Sequence, residues 1–391
     1  MNILLLYKEN FSGTYGPFVH YFPKKGNKLV WVQGIDKQDF KKYKNIKIYN
    51  IKHKNKVEGF FLYRIPINAI NNVSYILRKI FSFSKTKDLV NKESIDIIVS
   101  VDRILDIVLG YLISKFQKIP FIYRFDFPLY ESIIYQFKKG RRLWIFKVPF
   151  AKLAILLRNY FIKKADLVLP ISNEIKGYVL SLGINPSKVE IVHSGAIIPN
   201  VQKNIYKKYD LVYLGTQAEN RKLDFLIKVL QHLNEKIQNV KLVMIGDINK
   251  KLERIVKGKK LEDNVKFAGY VSNLKLAKLL QQSKLGLCPQ PTEDFFKTMS
   301  PLKFVEYLAC GLPVVATDIP EQKEVIKKHK CGICVPHDER KFADAIIYLL
   351  NHPKKAEQMG IRGQKFVREH RTFDVLGKKI EKRFLQLPTK S

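Results

Sequence analysis

Acidic residues are scarce: 35 Asp and Glu stand against 70 Lys and Arg, so this 391-residue chain carries a formal charge of +35. Both halves share the excess. It suits polyanionic partners such as nucleic acid, anionic lipid or phosphorylated substrates, although a Lys-rich composition also arises without function. Four cysteines make no disulfide framework and fit a reducing compartment. No stretch of eighteen uncharged apolar residues exists, which excludes a membrane-spanning helix. The opening MNILLLY is too short for a secretory signal and reads as a buried strand, so a cytoplasmic protein is expected. Asp-x-Asp does not occur, and no His/Cys cluster has metal-ligand spacing, so no metal and no cofactor are expected. Repeats and low-complexity tracts are absent as well.

Hydrophobic residues make up 46% of the chain, enough for two packed cores at this length. Short apolar runs alternate with helical stretches. ILLL (3–6), DIIVSV (96–101), PFIYRFD (120–126), ADLVLPIS (165–172) and VEIVHSG (189–195) are the candidate strands of the first half. DLVYLG (210–215), KLVMIGD (241–247), VKFAGY (265–270), LGLCPQ (285–290), LPVVATD (312–318) and CGICVP (331–336) follow in the second. Continuous apolar runs suit strands covered on both faces. Helices are expected at 219–237, 251–258, 273–283, 300–310, 320–329 and 340–350, with a final amphipathic one at 369–387. The rhythm predicts an α/β protein of two doubly wound domains. The polar stretch at 198–209 places the domains at 1–203 and 204–370, with 371–391 as a closing helix that returns to the first.

Residues 300–318, SPLKFVEYLACGLPVVATD, combine a helix start, a helix stop and a strand. Ser300 is positioned to cap, with Pro301 at the first helical position. Gly311 and Pro313 end the helix. Glu306 lies among Phe304, Val305, Tyr307, Leu308 and Ala309, where a carboxylate needs hydrogen-bond donors. The run P-x-K-h-h-E-Y-h-A-x-G-h-P-V-V resembles the group-1 family of retaining glycosyltransferases with the GT-B fold. So do CGICVPHDERKFADAIIYLL, MGIRGQKFVREHRTFDVLGKKIEKRF and ADLVLPISNEIKGYVLSLGI with VEIVHSG, so that the likeness covers nearly the whole chain. It implies two Rossmann-like domains facing a central cleft, with a nucleotide-sugar against the second and the Glu306 equivalent on the ribose hydroxyls. Elementary physics agrees. Phosphates favour a helix N-terminus, here Ser300, Pro301, Leu302 and Lys303. Glu306 stands roughly 4–5 Å further along the axis, about the offset of a ribose from its diphosphate.

Expelling a nucleoside diphosphate builds negative charge, which fixed cations and backbone N–H groups can neutralise without a metal. YLGTQAENRKLDFLIKVL (213–230) resembles the family's strand, glycine turn and basic helix start. The resemblance makes Arg221 the diphosphate clamp, with Lys222 beside it and Gly215 and Thr216 in the turn. Many relatives carry Arg where Thr216 stands, so either one clamp charge is missing here or Lys303 compensates for it. Gly269 and Tyr270 border the expected base pocket. In the first domain, SGTYGPF (12–18) resembles a glycine-rich cleft loop, with Gly13, Thr14 and Gly16 near the ligand. Asp126 keeps the acid of a family His-Asp pair whose His is replaced by Phe125. It is a candidate for orienting acceptor or sugar, or else a buried structural acid. Asp102 at the neighbouring strand end is a second candidate.

Residues 132–165 contain no acidic residue, and their cations alternate with aromatics and leucines. Lys138, Lys139, Arg141, Arg142, Trp144 and Lys147 head this stretch, which suits an anionic membrane surface. An ordinary core helix with a basic wet face is the competing reading. No nucleic-acid recognition module is present. Cys331 and Cys334 match C-x-x-C without a second pair and read as structural, and His193 and His337 read as loop histidines. The expectation is a metal-independent, retaining glycosyltransferase, peripheral to the membrane. It would move a hexosyl unit from a nucleotide-diphosphate sugar to a lipid-linked saccharide or other glycan, in cell-envelope polysaccharide or glycolipid synthesis. A nucleotide-sugar 2-epimerase of the same architecture and a non-catalytic polyanion binder are the alternatives.

Overall fold

The computed structural model describes residues 1–6, 15–33, 45–50, 83–138, 145, 147–200 and 205–388. Two six-stranded sheets carry it. The first holds β1 (Asn2–Leu6), β2 (Lys28–Gln33), β3 (Ile46–Asn50), β4 (Ile97–Val101), β5 (Phe121–Phe125) and β6 (Leu167–Pro170), in the order β3-β2-β1-β4-β5-β6. The second holds β7 (Tyr209–Leu214), β8 (Leu242–Ile245), β9 (Val265–Gly269), β10 (Ser283–Cys288), β11 (Val314–Thr317) and β12 (Gly332–Val335), in the order β12-β11-β10-β7-β8-β9. Every pairing is parallel. The two orders are the same when each sheet is counted from its own first strand. Each is a Rossmann-like doubly wound sheet, whose direction of winding reverses between β1 and β4 or between β7 and β10. Ligand crevices open at such reversals, outside the carboxyl ends of the strands.

The apolar runs become strands buried on both faces, as in β4, β5, β8 and β11. Small polar residues set the helix starts. Ser172, Asn249, Ser272 and Asp338 accept backbone N–H groups ahead of helices Asn173–Ser181, Lys250–Gly258, Asn273–Gln281 and Glu339–Asn351. Three elements differ from expectation. VEIVHSG forms no strand, only an isolated bridge from Val189 to Val168, while β2 and β3 extend the first sheet on its other side. β3, IKIYN, alternates polar with apolar residues, so its apolar signal is weak. The closing segment is two helices, Pro353–His370 and Phe373–Phe384.

The chain divides into one unit of Met1–Val192 with Gly377–Ser391, and another of His193–Leu376. The boundary expected at 203/204 therefore lies earlier, at 192/193. The cause is hydrogen bonding. Ser194 Oγ donates to Ser300 O at 2.6 Å and the Ser194 N–H to Ser300 Oγ at 3.1 Å, while the Ala196 N–H donates to Arg371 O at 2.9 Å. These bonds sew residues 194–196 to the second unit before the polar stretch begins. Helix Phe373–Phe384 starts in the second unit and ends in the first, where the Tyr21 hydroxyl donates to Glu381 at 2.5 Å.

Glu321 is the hub of this network. Its buried Oε1 accepts from Arg371 Nη1 at 2.9 Å and from Ser300 Oγ at 2.7 Å, and His193 Nδ1 lies 3.5 Å from Oε2. Burial alone would raise its carboxyl, but Arg371, His193 and Ser300 outweigh that and hold it down to about 2. A folded pKa below the usual 4.5 contributes stability above pH 4.5 that is lost as pH falls towards 2. Arg371→Ala strands the buried carboxylate, and denaturant unfolding should show a loss of about 3–5 kcal/mol at pH 7. Unchanged stability at pH 7 would show that the pair carries no weight.

Candidate functional site

The helix Leu302–Ala309 explains why a carboxylate sits in so apolar a stretch. Phe304, Val305, Tyr307, Leu308 and Ala309 face the core, while Lys303 and Glu306, three apart, share the side left partly open. The start of the helix differs from the expected one. Pro301 is the N-cap residue rather than the first helical one, and no side chain caps the helix. Ser300 does not serve there, because its hydroxyl is committed to Glu321. The Phe304 N–H donates to Pro301 O at 3.1 Å, and the Leu302 and Lys303 N–H groups are left to water or a ligand.

Lys303 reaches across β7. Its Nζ lies 3.9 Å from the ring centroid of Tyr213, whose hydroxyl donates to Thr216 O at 3.0 Å. Gly215 follows at φ +136°, and a Cβ there would lie 3.0 Å from Lys303 Nζ. The glycine therefore lets the ammonium lie against the main chain at the end of β7. The Tyr307 hydroxyl accepts the Leu214 N–H at 2.6 Å, fixing β7 to the helix. Thr216 Oγ1 accepts the Ala218 N–H at 3.3 Å and shapes the turn.

Arg221 lies in a short turn, Glu219–Arg221, ahead of helix Asp224–Asn234 rather than inside one long helix. Its guanidinium stacks 5.3 Å from the Phe296 ring centroid and donates from Nη1 to Gln290 Oε1 at 3.2 Å. Among the described residues, no carboxylate forms an ion pair with Arg221 or Lys303. Burial lowers the Arg221 pKa, and burial followed by the Arg221 charge brings Lys303 down to about 7. Burial raises Glu306 to about 7 against the pull of Lys303. Two neighbouring cations that lack counter-ions, beside open helix N–H groups, make an anion site.

Lys222 belongs elsewhere. It takes a left-handed backbone at φ +49°, is exposed, and pairs with Glu293. Gly269 turns the chain at the end of β9 with φ +66°, and Tyr270 beyond it is 84% exposed. Gln290, Phe296 and Tyr213 complete the anion site without having been singled out in the sequence. Gln290 had a signal, since it follows β10 at the reversal of the sheet; an aromatic floor beneath a lysine had none. Among the described residues, no group of three or more His, Cys, Asp or Glu is placed to hold a metal ion.

The first unit gathers acids at the ends of β4 and β5. Asp102, at φ +41°, accepts the N–H groups of Asp126 at 2.9 Å and Phe127 at 3.3 Å. Burial and then the Asp126 charge push its pKa well up. Asp126 Oδ2 accepts the Tyr15 hydroxyl at 2.5 Å, and Oδ1 lies 2.5 Å from Arg124 Nε in an ion pair. Arg124 is fully buried and donates to Val192 O at 2.6 Å. This arrangement shows Asp126 in a structural pairing. Gly16 immediately precedes the π-helical turn Pro17–Tyr21. Gly13, Thr14, Lys139, Arg141, Arg142 and Trp144 lie outside the described residues. Lys138 is exposed and Lys147 half-buried.

Residues 197–366 match the family model described as glycosyl transferases group 1, and residues 41–197 that of glycosyltransferase family 4. An uncharacterized glycosyltransferase of Methanocaldococcus jannaschii is 26% identical over 304 residues, 74% of this chain and 66% of its own. A putative colanic acid biosynthesis glycosyltransferase, WcaL, of Salmonella typhimurium is 24% identical over 186 residues, 45% of each chain. A phosphatidyl-myo-inositol mannosyltransferase of Mycobacterium leprae is 25% identical over 190 residues, 48% of each. The chain thus spans about two thirds of the first relative's length and about half of the other two. In fold it is similar to sucrose-phosphate synthase of Thermosynechococcus elongatus, with a TM-score of 0.74, 15% identity and 98% of each chain covered. It is similar also to Anabaena HepE in complex with UDP-glucose, with a TM-score of 0.70, 16% identity, and 99% of this chain and all of that one covered.

The geometry makes one lysine stand apart from the rest. In NMR of protein carrying 13C-labelled lysine, one ε-carbon should titrate near pH 7 in the ligand-free protein, and Lys303→Met should remove it. Arg221→Met should move that titration upward, because a repelling charge is gone. A full set of lysines titrating near 10 would contradict the described packing.

Proposed function

Because this chain belongs to the group-1 glycosyltransferases, we propose that it moves a hexosyl unit from a nucleotide-diphosphate sugar to a lipid-linked saccharide or another glycan, with retention of the anomeric configuration. One observation carries the reading: Lys303 and Arg221 act on each other at the end of β7 with no counter-ion among the described residues, and Glu306 lies three residues beyond Lys303. The diphosphate lies against those two cations and the open N–H groups of helix Leu302–Ala309. Glu306 accepts the ribose hydroxyls, and Gly269 and Tyr270 border the base. HepE binding UDP-glucose supports a nucleotide-sugar donor.

As the sugar–phosphate bond breaks, charge grows on the departing diphosphate. Arg221, already desolvated and fixed over Phe296, meets that charge without reorganising. A planar guanidinium reaches two phosphate oxygens at once. Lys303, a point charge on an aromatic floor, gains its full proton when the anion arrives. Leaving-group stabilisation is thereby supplied by side chains and N–H groups, so the transfer runs independently of a metal. The acceptor attacks from the face the diphosphate leaves. The relative named for colanic acid synthesis and the mannosyltransferase named for phosphatidyl-myo-inositol support an envelope polysaccharide or glycolipid acceptor. No helix among the described residues is long and apolar enough to cross one.

Arg221→Ala should lower kcat about a hundredfold; turnover within a few-fold of the parent retires its role. The donor alone should give no new nucleotide-sugar, which separates transfer from 2-epimerisation. NMR of the product should show the donor's anomeric configuration.

Binding needs Lys303 charged and Glu306 ionised, and both titrate at about 7 in the empty site. Calorimetric affinity for UDP-glucose, whose diphosphate diester keeps its charge across this range, should therefore peak near neutral pH. It should fall above as Lys303 loses its proton, and below as Glu306 gains one. Glu306→Gln should flatten the acid limb and Lys303→Met the alkaline limb. A flat profile in the parent protein would refute these roles.

A further inference from the structure

Helix Val148–Lys163 has two apolar sides, and only one of them is packed against the rest of the unit among the described residues. Ala151, Ala154 and Ile162 are buried on the inner side. Arg158 pins that side to the unit, so this cation of the acid-free stretch is structural. It donates from Nη1 and Nη2 to Glu131 at 3.0 and 2.6 Å and stacks 4.7 Å from the Phe125 ring centroid. The outer side carries Phe150, Leu153, Leu156, Leu157 and Tyr160. At about 100° per residue these five fall in one stripe roughly 120° wide. Leu156 is 67% exposed, Tyr160 55% and Leu153 54%. Phe116, 65% exposed on the adjoining helix Ile104–Gln117, adds to the apolar surface. Leucines exposed together in this way mark an interaction face rather than the scatter of an ordinary surface.

The surrounding charge identifies the partner. Exposed Lys152 and Lys163 border the stripe, and Lys164 closes its C-terminal end with Nζ 5.5 Å from the Tyr160 ring centroid. From 132 to 165 the chain has no carboxylate. A second copy docking face to face would set these lysines against each other with nothing to pair them. A polynucleotide would satisfy the lysines but offer Leu153 and Leu156 no apolar phase. A bilayer with anionic headgroups supplies both, with acyl chains for the stripe and phosphates for the ammonium groups.

We propose that the outer face of helix Val148–Lys163 seats the first unit on an anionic lipid surface, with Leu153, Leu156 and Tyr160 in the headgroup–acyl boundary. The function given above supplies the purpose, a membrane-borne acceptor, and in that sense the proposal rests on it. Its geometry does not, since none of these residues belongs to the donor site.

Co-sedimentation of the full chain with vesicles tests it. Binding to phosphatidylcholine vesicles containing phosphatidylglycerol should exceed binding to phosphatidylcholine alone by about tenfold or more, and salt should weaken it. Leu153→Glu/Leu156→Glu should abolish sedimentation. Lys152→Glu/Lys163→Glu, which leaves the apolar stripe intact, should erase the preference for anionic vesicles. UDP-glucose affinity, measured without vesicles, should be the same in all three proteins, which shows that the variants are folded and tests the donor site separately. The proposal is overturned if the parent protein ignores both kinds of vesicle, or if the leucine variant sediments like the parent. It is overturned too if the parent is a dimer that the leucine variant dissociates and no vesicles are bound.

Discussion

Two positive groups held side by side without a counter-ion are costly, and the C-terminal unit is organised around that cost. Lys303 and Arg221 come from segments about eighty residues apart, and each rests on an aromatic ring, Tyr213 or Phe296. Ring faces attract cations without neutralising them. A carboxylate in the same places would have stabilised the empty protein and filled the site with its own anion. The aromatic floor keeps the charges in position without neutralising them.

The scaffold beneath this site is itself charged, and in the opposite manner. Glu321 Oε1 is hydrogen-bonded by Arg371 and Ser300, with the His193 ring 3.5 Å from Oε2, so its ionisation is settled well below neutral pH. The network holds Ser300 immediately ahead of Pro301 and helix Leu302–Ala309. The buried Arg371–Glu321 ion pair thus holds the residue ahead of the helix that presents Lys303 without an ion-pair partner among the described residues. Breaking the first would shift Lys303 and Glu306 together, while changing either of those leaves the frame intact. Structural and binding charges of the second unit are separated by whether their partners are present in the chain.

The first unit follows the same distinction. Asp126, bound by Arg124 and Tyr15, and Arg158, bound by Glu131, are internally answered charges. Lys152, Lys163 and Lys164 around the outer face of helix Val148–Lys163 form no ion pair among the described residues. Charge count alone, +35 over the chain, treats all of these alike. Only burial and pairing tell a structural Arg158 from an exposed Lys152 six residues away.

Much of the fold was legible because parallel strands buried on both faces read as unbroken apolar runs. Most of the strands were found this way, and the two that were missed, β2 and β3, were lost for different reasons. β3 alternates polar with apolar residues, and β2, KLVWVQ, stands beside weakly patterned sequence. Lys303 and Glu306 were singled out because they lie three apart on one short helix, and Arg221 because its segment resembles the family's basic helix start. Their state was not visible. That Lys303 lacks a carboxylate, that Ser300 turns to Glu321 instead of capping, and that Lys222 pairs with Glu293 all depend on side chains dozens to a hundred residues away. Local pattern determined the strands and the helix, because those follow from periodicity and turn chemistry along the chain, while the choice of cations came from the family resemblance. Tertiary packing decided which charges are neutralised and which stay available, because ion pairing and desolvation depend on neighbours that only folding brings together.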